Sequence, residues 1–131
     1  MYSITHHGAV TGVTGSCHQF TLDSGEAILV DCGMFQGGDA AELSAGSGEL
    51  AEQINFDIRP IKALLVTHCH IDHVGRIPYL LAAGFKGPIY ATRATAMLLP
   101  LVLEDALKVG VTRDQRLIDR FLRLFNKQLV A

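Results

Sequence analysis

The segment A-L-L-V-T-H-C-H-I-D-H, residues 63–73, decides the fold. Its first four residues are apolar and predict a short buried β-strand. Four side chains that can bind a metal ion, three imidazoles and one carboxylate, follow within six positions. Neutral imidazole and ionised carboxylate are good donors for zinc and similar divalent ions. Ionisable groups crowded at the end of a buried strand are costly unless bound cations compensate them. The pattern therefore predicts a metal site where this strand ends.

The four candidate ligands divide into two pairs by their spacing. His68 and His70 are two positions apart, which places both imidazoles on the same side of an extended or turning segment. Asp72 and His73 are adjacent, so they cannot both face that way, and they suit a second ion beside the first. A polar turn that happens to be rich in histidine is the alternative. Against it, three of the six histidines in the chain fall in this one window.

The motif His68-x-His70-x-Asp72-His73 after an apolar strand resembles the signature of the metallo-β-lactamase fold superfamily. Three flanking segments resemble its β-CASP branch, whose members process RNA or DNA: V-T-G-S-C-H at 13–18, V-D-C-G-M-F-Q-G at 30–37 and G-P-I-Y-A-T at 87–92. The resemblance covers most of the chain. It implies an α/β fold that is the N-terminal half of an αββα sandwich, with a mixed sheet and flanking helices.

The resemblance also implies roles for individual residues. His68 and His70 would bind one zinc ion, and Asp72 and His73 would bind a second. Asp72 would in addition accept a proton from the attacking water, which makes it the candidate catalytic residue. Asp31 stands where the family's first motif has an aspartate that supports the metal site through hydrogen bonds without being a ligand. By residue type alone, a carboxylate at a strand end beside glycine is more simply a turn residue.

The function implied by the resemblance is zinc-dependent hydrolysis of RNA phosphodiester bonds, similar to that of nucleases in mRNA 3′-end processing. Metal ions in such a site lower the pKa of a bound water toward neutrality. Two other hypotheses remain open. The same metal site could hydrolyse thioesters or lactones, or the chain could be a non-catalytic module that binds metal or associates with itself. The flanking segments at 15–18 and 35–37 favour the nucleic-acid branch over the other hydrolases.

Two metal ions need more ligands than these four. The superfamily's complete site adds two histidines and a bridging aspartate from later motifs, but no histidine follows His73 in this sequence. The cap domain of the β-CASP branch is not recognisable either. We therefore expect residues 1–131 to be a single partial metallo-β-lactamase domain of a larger enzyme, inactive alone. Half of a sandwich leaves an apolar face uncovered, so we also expect a homo-oligomer formed through that face.

Composition excludes several classes of protein. The chain has 131 residues, of which 49% are hydrophobic and 18% charged, as in a globular domain with a modest core. No apolar run approaches the roughly 20 residues of a membrane span, and the N-terminus lacks the layout of a signal peptide. We expect no membrane partner. Three cysteines, an odd number, argue against a disulfide framework and favour buried thiols in a reducing cytoplasm.

Charge is distributed unevenly along the chain. Residues 1–60 hold eight acidic side chains and one basic, whereas residues 61–131 hold ten basic and five acidic. This asymmetry permits a surface that faces nucleic acid in the second half. Five basic residues recur there at alternating spacings of three and four and are candidates for facing RNA: Arg113, Arg116, Arg120, Arg123 and Lys127. A solvated helix face explains the same pattern.

Periodicity and turn residues predict the other elements. One strand is predicted to begin near residue 4. Three further strands are predicted at 17–22, 27–30 and 89–91, and a hairpin turn at 23–26 connects the first two of these. Residues 37–52 are predicted to be a loop, with a helical turn near 49–54. Helices are predicted at 74–84 and at 93–107, where Pro100 should cause a kink or a division into two short helices. A last helix is predicted to begin with a capping box at 112–115. The last helix is predicted to bury Leu117, Ile118, Phe121, Leu122, Phe125 and Leu129.

Overall fold

The computed structural model describes residues 1–10, 12–36 and 53–131. The predicted loop at 37–52, and most of the helical turn expected near 49–54, lie outside the described residues. The described part contains six strands and four helices. The strands are β1 Ser3–His6, β2 His18–Thr21, β3 Ala27–Val30, β4 Ile61–Leu65, β5 Ile89–Tyr90 and β6 Leu129–Val130. The helices are α1 Ile71–Val74, α2 Ile77–Ala82, α3 Arg93–Gly110 and α4 Gln115–Gln128.

The six strands form one mixed sheet in which spatial order follows sequence order, β1-β2-β3-β4-β5-β6. β1, β2 and β3 pair antiparallel, and the predicted hairpin turn at 23–26 connects β2 to β3. β3, β4, β5 and β6 pair parallel. A mixed sheet with helices between its parallel strands matches the predicted α/β fold class.

Apolar side chains of the central strands carry the core. Leu29 on β3, Leu64 on β4 and Ile89 on β5 are all fully buried. Full burial of one such side chain stabilises the fold by about 1.5–3 kcal/mol relative to exposure. The helices cover these strands with further buried side chains, namely Val74, Ile77, Leu80, Leu99, Leu103, Ile118 and Phe125.

The parallel pairing brings two strand ends together. Because β3 and β4 run in the same direction, the residues that follow both strands lie at one edge of the sheet. The Asp31 N–H, just after β3, donates to the Leu65 carbonyl at 2.8 Å. The Val66 N–H, just after β4, donates to the Tyr90 carbonyl at 2.8 Å. The predicted ligand segment therefore leaves the sheet beside Asp31.

The helix predicted at 74–84 is wrong in its bounds, because two helices, α1 and α2, occupy this part of the chain. A continuous helix would need the Arg76 N–H to donate to the Asp72 carbonyl. That carbonyl instead accepts from the Ser16 N–H at 3.0 Å, and the Arg76 N–H donates to the Cys32 carbonyl at 2.9 Å. Tertiary hydrogen bonds thus replace the helical one. Pro78 lies in the first turn of α2, where its missing N–H removes no helical hydrogen bond.

The two short helices offered as one alternative at Pro100 are not formed, since α3 is one helix that contains this residue, and the kink offered as the other stays a prediction. Proline removes one backbone donor from the helix. Leu99 and Leu103 on either side of it are both fully buried, and this packing outweighs the lost hydrogen bond. Thr92 caps α3 as its residue type indicates, because its hydroxyl accepts from the Thr95 N–H at 3.3 Å.

The start of α4 differs from the predicted capping box. Asp114 is the cap, and its carboxylate accepts from the Arg116 N–H at 3.0 Å. The Thr112 hydroxyl instead accepts from the Asp114 N–H at 3.0 Å. An ionised carboxylate is at least as good a cap as threonine, which moves the helix start to Gln115. Arg113 therefore lies outside the helix.

The apolar face of α4 is buried in part. Ile118 and Phe125 are fully buried, whereas Leu117 is 49% exposed, contrary to the prediction. Leu129 belongs to β6, which pairs with β5 and which periodicity did not predict. A two-residue strand is too short to leave a period in the sequence. None of the four described helices combines the length and apolarity needed to cross a bilayer.

Candidate metal centre

The structure brings the predicted ligands together where β4 ends. The His68 ring lies 4.1 Å from the His73 ring and 4.8 Å from the His70 ring, centroid to centroid. The His73 Nε2 atom is 3.5 Å from a carboxylate oxygen of Asp72. His68 and His70 precede α1, whereas Asp72 and His73 lie within it. Three imidazoles and one carboxylate therefore share one small region at the sheet edge.

Asp31 organises this region from beneath. Its side chain is only 3% exposed. One carboxylate oxygen accepts from the Thr67 N–H at 2.8 Å, and the other accepts from the Thr67 hydroxyl at 2.7 Å. The second oxygen also lies 2.7 Å from the Nδ1 atom of His73. Asp31 is therefore more than a turn residue, because its carboxylate joins the ends of β3 and β4 to α1.

These hydrogen bonds select the tautomers of two imidazoles. A carboxylate only accepts hydrogen bonds, so the His73 Nδ1 atom carries the proton and its Nε2 atom keeps a lone pair. The Thr67 hydroxyl donates its single proton to Asp31, so it accepts from the His68 Nδ1 atom, 3.0 Å away. The Nε2 atom of His68 then keeps its lone pair too. Both rings are prepared to offer Nε2 to a cation.

The donor set matches part of a coordination shell. Within the residues that the structure describes, no three His, Cys, Asp or Glu side chains are grouped closely enough to hold one ion as they stand. The His68 ring lies closer to the His73 ring than to the His70 ring, so the division into His68 with His70 and Asp72 with His73 stays a prediction. Zinc usually takes four ligands, so each predicted pair would supply about half of a shell. The assignment of these four residues as ligands stays a prediction.

Close backbone packing fixes α1 against the strand ends. The Cys32 N–H donates to the His73 carbonyl at 2.9 Å, and the Met34 N–H donates to the Ile71 carbonyl at 3.0 Å. Between them, Gly33 lies against α1 so closely that an added Cβ would overlap the Asp72 carbonyl group. Only glycine permits this approach of two backbones.

Arg76 ties the same loops together from inside. It is 1% exposed, and its guanidinium donates to the carbonyls of Gly33 and Gly15. The guanidinium carbon also lies 4.5 Å from the centre of the Phe35 ring, within the range of a cation–π contact. Arg76 therefore links the segments before β2 and after β3 to the turn between α1 and α2.

Sequence reasoning missed Thr67 and Arg76 as supports of the site. A polar residue between a buried strand and the first histidine was the available signal for Thr67. For Arg76 there was none, because a basic residue after the ligand motif reads as exposed. His18 was also missed: its Nε2 atom lies 3.2 Å from the Ser16 hydroxyl and its Nδ1 atom 2.7 Å from Nδ1 of His6. Burial first, and nearby His6 second, lower the pKa of His18.

The basic residues predicted to face RNA lie apart from the candidate ligands in the sequence, on α4 and just before it. All five side chains, Arg113, Arg116, Arg120, Arg123 and Lys127, are exposed. In the described ranges none of them forms a salt bridge with a carboxylate. Their charge is thus available to solvent or to a ligand, and their role stays a prediction.

A mixed α/β sheet that gathers imidazoles and a carboxylate at one edge is the scaffold of a metal-binding protein. The family model described as "Metallo-beta-lactamase superfamily" matches residues 11–128, and the chain belongs to this superfamily. Membership implies bound metal ions. The predicted α/β fold class, a mixed sheet with flanking helices, agrees with this finding, and the assignment to the N-terminal half of the sandwich stays a prediction.

Three curated relatives identify the branch. Ribonuclease TTHA0252 of Thermus thermophilus is 50% identical over 106 residues, which are 81% of this chain and 23% of that protein. Cleavage and polyadenylation specificity factor subunit 3-II of Arabidopsis thaliana is 37% identical over 81% of this chain and 17% of its own length. Transcription termination factor FttA of Cenarchaeum symbiosum is 36% identical over 86% of this chain and 17% of its own. The predicted resemblance to the RNA-processing β-CASP branch is confirmed.

The chain spans less than a quarter of the length of these relatives. Among solved structures, a metallo beta lactamase from Hirschia baltica aligns with 75% of this chain and 41% of its own at 19% identity, with a TM-score of 0.40. A likeness at that level carries no argument about fold or function.

Proposed function

We propose that this chain is part of a zinc-dependent nuclease that hydrolyses phosphodiester bonds of RNA, similar to nucleases of mRNA 3′-end processing. The observation that carries the proposal is the hydrogen-bonded series His68–Thr67–Asp31–His73, which leaves two Nε2 lone pairs ready for a cation. The relatives' names, which include a ribonuclease and a cleavage and polyadenylation factor, support RNA as the substrate.

Each residue of the site has a distinct task in this proposal. His68 and His70 would hold one zinc ion, and Asp72 and His73 would hold the other. When bound, zinc would supply a Lewis acid that lowers the pKa of water and balances charge on the phosphate. Asp72 accepts the proton that the attacking water loses. Asp31 would keep the His73 ring oriented and would hold the proton of the neutral ring at Nδ1. Four ligands leave both shells incomplete, so the proposal includes further ligands from outside this chain.

The substrate is tested in a chimaera of the Thermus ribonuclease in which this chain replaces the matching 23% of that protein. We expect the chimaera to cleave labelled single-stranded RNA and to leave a model thioester intact. The matched control is the same chimaera with Asp72→Asn, which should bind zinc more weakly and lose RNA cleavage. A folded, zinc-loaded chimaera that hydrolyses only the thioester would establish the alternative hydrolase and refute the nuclease.

The ligand assignment is tested in this chain alone by His70→Ala. His70 is exposed and contributes little to the core, so we expect the urea midpoint to stay close to that of the parent. Zinc affinity, measured by competition with a chromophoric chelator, should fall at least about 10-fold because one of few donors is lost. His6→Ala, which removes another exposed imidazole, should leave zinc affinity unchanged. If His70→Ala unfolds the chain without changing its metal content, His70 is a structural residue.

The exposed basic residues of α4 are proposed to contact RNA backbone phosphates. Their exposure and the absence of carboxylate partners among the described residues support this. Replacing Arg116, Arg120 and Arg123 by glutamine should weaken RNA binding and lower the salt dependence, by a slope of about 0.7 for each phosphate that is no longer neutralised. Titrations by fluorescence anisotropy between low and moderate salt measure both quantities. The exposed residues Lys62, Lys86 and Arg93, replaced together by glutamine, are the charge-matched control. An unchanged slope in the arginine variant would make α4 a solvated face.

We also propose that this chain associates with itself through the uncovered half of the sandwich. Large apolar side chains exposed on α3, Met97 at 77% and Leu101 at 66%, support a contact of this kind. Sedimentation velocity over a range of concentrations tests it. Monomers at high micromolar concentration would contradict it.

A further inference from the structure

Cys17 and Cys32 lie opposite each other across the β2–β3 hairpin, and both are fully buried. The regular ladder pairs His18 with Val30, which would place Cys17 opposite Asp31 if it continued. Asp31 has a positive φ of 63°, and the Gly33 N–H donates to the Ser16 carbonyl at 2.9 Å. The register is therefore shifted by one residue here, as at a β-bulge, and Cys17 faces Cys32.

The backbone groups of the two cysteines are engaged elsewhere. The Cys17 carbonyl accepts from the His7 N–H at 2.7 Å, and the Cys32 N–H donates to the His73 carbonyl at 2.9 Å. The Cys32 carbonyl accepts from the Arg76 N–H at 2.9 Å. Opposed residues that exchange no backbone hydrogen bonds have Cα atoms about 4.5 Å apart. This separation lies within the range of about 4.4–6.8 Å that disulfides span. The interaction between the two thiols is also the largest influence on the pKa of each, lowering that of Cys17 and raising that of Cys32.

We propose that Cys17 and Cys32 are a redox-sensitive modification site that forms a disulfide when a peroxide reaches the chain. One sulfur attacks the peroxide, the O–O bond breaks, and a sulfenic acid and water form. The second sulfur then attacks the sulfenic sulfur, the S–S bond forms, and a second water leaves with the remaining thiol proton. The two thiols lose two electrons and two protons in total, and one hydrogen peroxide is reduced to two waters. A dithiol reductant reverses the reaction.

The disulfide would act on the metal centre through Cys32. Closing the bond brings the two sulfurs to about 2.05 Å, which draws Cys32 toward Cys17. The Cys32 N–H donates a hydrogen bond to the His73 carbonyl. Cys32 also follows Asp31, whose carboxylate contacts the Nδ1 atom of the His73 ring. Displacing the Asp31 carboxylate from His73 should weaken zinc binding by about 10-fold. This is the lower end of the loss seen when a metal-binding histidine loses its hydrogen-bond partner. This consequence rests on the proposed function, whereas formation of the disulfide does not.

The experiment uses the whole chain with Cys69→Ser, because Cys69 is more exposed than the pair and would react first. The chain is treated with a chelator and then with hydrogen peroxide, alkylated under denaturing conditions and digested for peptide mass mapping. We expect a peptide linked through Cys17 and Cys32, two hydrogen atoms lighter than the sum of its parts and cleaved by dithiothreitol. Burial limits the reaction to the rate of local opening, so linkage should appear more slowly than peroxide oxidation of Cys69 in the parent chain.

Two further arms make the outcome decisive. Cys32→Ser in the same background should give no linked peptide, and the parent chain should link Cys17 to Cys32 and not to Cys69. Absence of the linked peptide after an exposure many times longer than the one that fully oxidises Cys69 in the parent would overturn the proposal, as would linkage through Cys69. Zinc competition on oxidised and reduced chain tests the consequence separately. Equal affinities together with a mapped disulfide would keep the modification site and remove its effect on the metal centre.

Discussion

Gly33→Ala destabilises the chain by at least about 3 kcal/mol, at the upper end of what overpacking costs. A methyl group at this position would overlap the carbonyl oxygen and carbon of Asp72 and lie 2.8 Å from the His73 nitrogen. All three atoms belong to backbone that is held on both sides by hydrogen bonds to Ser16 and Cys32. A flexible side chain could move away, but these backbone atoms can move only if α1 separates from the end of β3.

The measurement is the free energy of unfolding from urea titration, with Gly110→Ala as the matched control. A Cβ at Gly110 meets nothing within 4 Å, and alanine is the better helix former by about 1 kcal/mol. The control should therefore be neutral or slightly stabilising. If the free energy of unfolding of Gly33→Ala lies within about 1 kcal/mol of that of the parent, the segment after β3 does not pack on α1 as the structure has it.

Asp31→Asn should lower zinc affinity by about 10- to 100-fold while the fold is retained. Asparagine is nearly the same size and tolerates the positive φ of 63° at this position. Its amide nitrogen donates where the carboxylate oxygen accepted. With the amide oxygen on the Thr67 N–H, the amide nitrogen faces the His73 Nδ1 atom, which must then become the acceptor. The proton of His73 moves to Nε2, and the lone pair that would bind the metal is lost.

Three observations together test this mechanism. Zinc competition gives the affinity, urea titration gives the stability, and two-bond ¹H–¹⁵N correlation spectra of the metal-free chain report which ring nitrogen of His73 carries the proton. Asp119→Asn, which changes an exposed carboxylate that bonds only Gln115 among the described residues, controls for the loss of one charge. If Asp31→Asn binds zinc as tightly as the parent, the Asp31 carboxylate does not support metal binding through His73.

Local patterns along the chain predicted much of the fold. Alternation and apolar runs located β2, β3, β4 and β5, and the residue type of Thr92 located the start of α3. Predictions failed where a bond between distant segments replaced a local one. The helix expected at 74–84 is divided because the Asp72 carbonyl bonds Ser16, which no pattern within that stretch could show.

The candidate site divides in the same way. The residue types of His68, His70, Asp72 and His73 identified the side chains that gather where β4 ends, whereas their division into two pairs stays a prediction. The resemblance added Asp31. The tautomers of His68 and His73 could not be predicted, because they depend on Asp31 meeting Thr67 and His73, which lie 36 and 42 residues later in the chain.

By itself, the sequence determined which side chains are offered to a cation, which strands are buried and which superfamily the chain resembles. These properties depend on residues a few positions apart, so residue type and the spacing of apolar residues are enough to predict them. Only the tertiary structure decided that Gly33 lies against the Asp72 carbonyl, that Arg76 is buried beneath two loops and that Cys17 faces Cys32. The physical reason is that contacts between distant segments depend on how the sheet brings strand ends together. Local periodicity does not predict which strand ends meet.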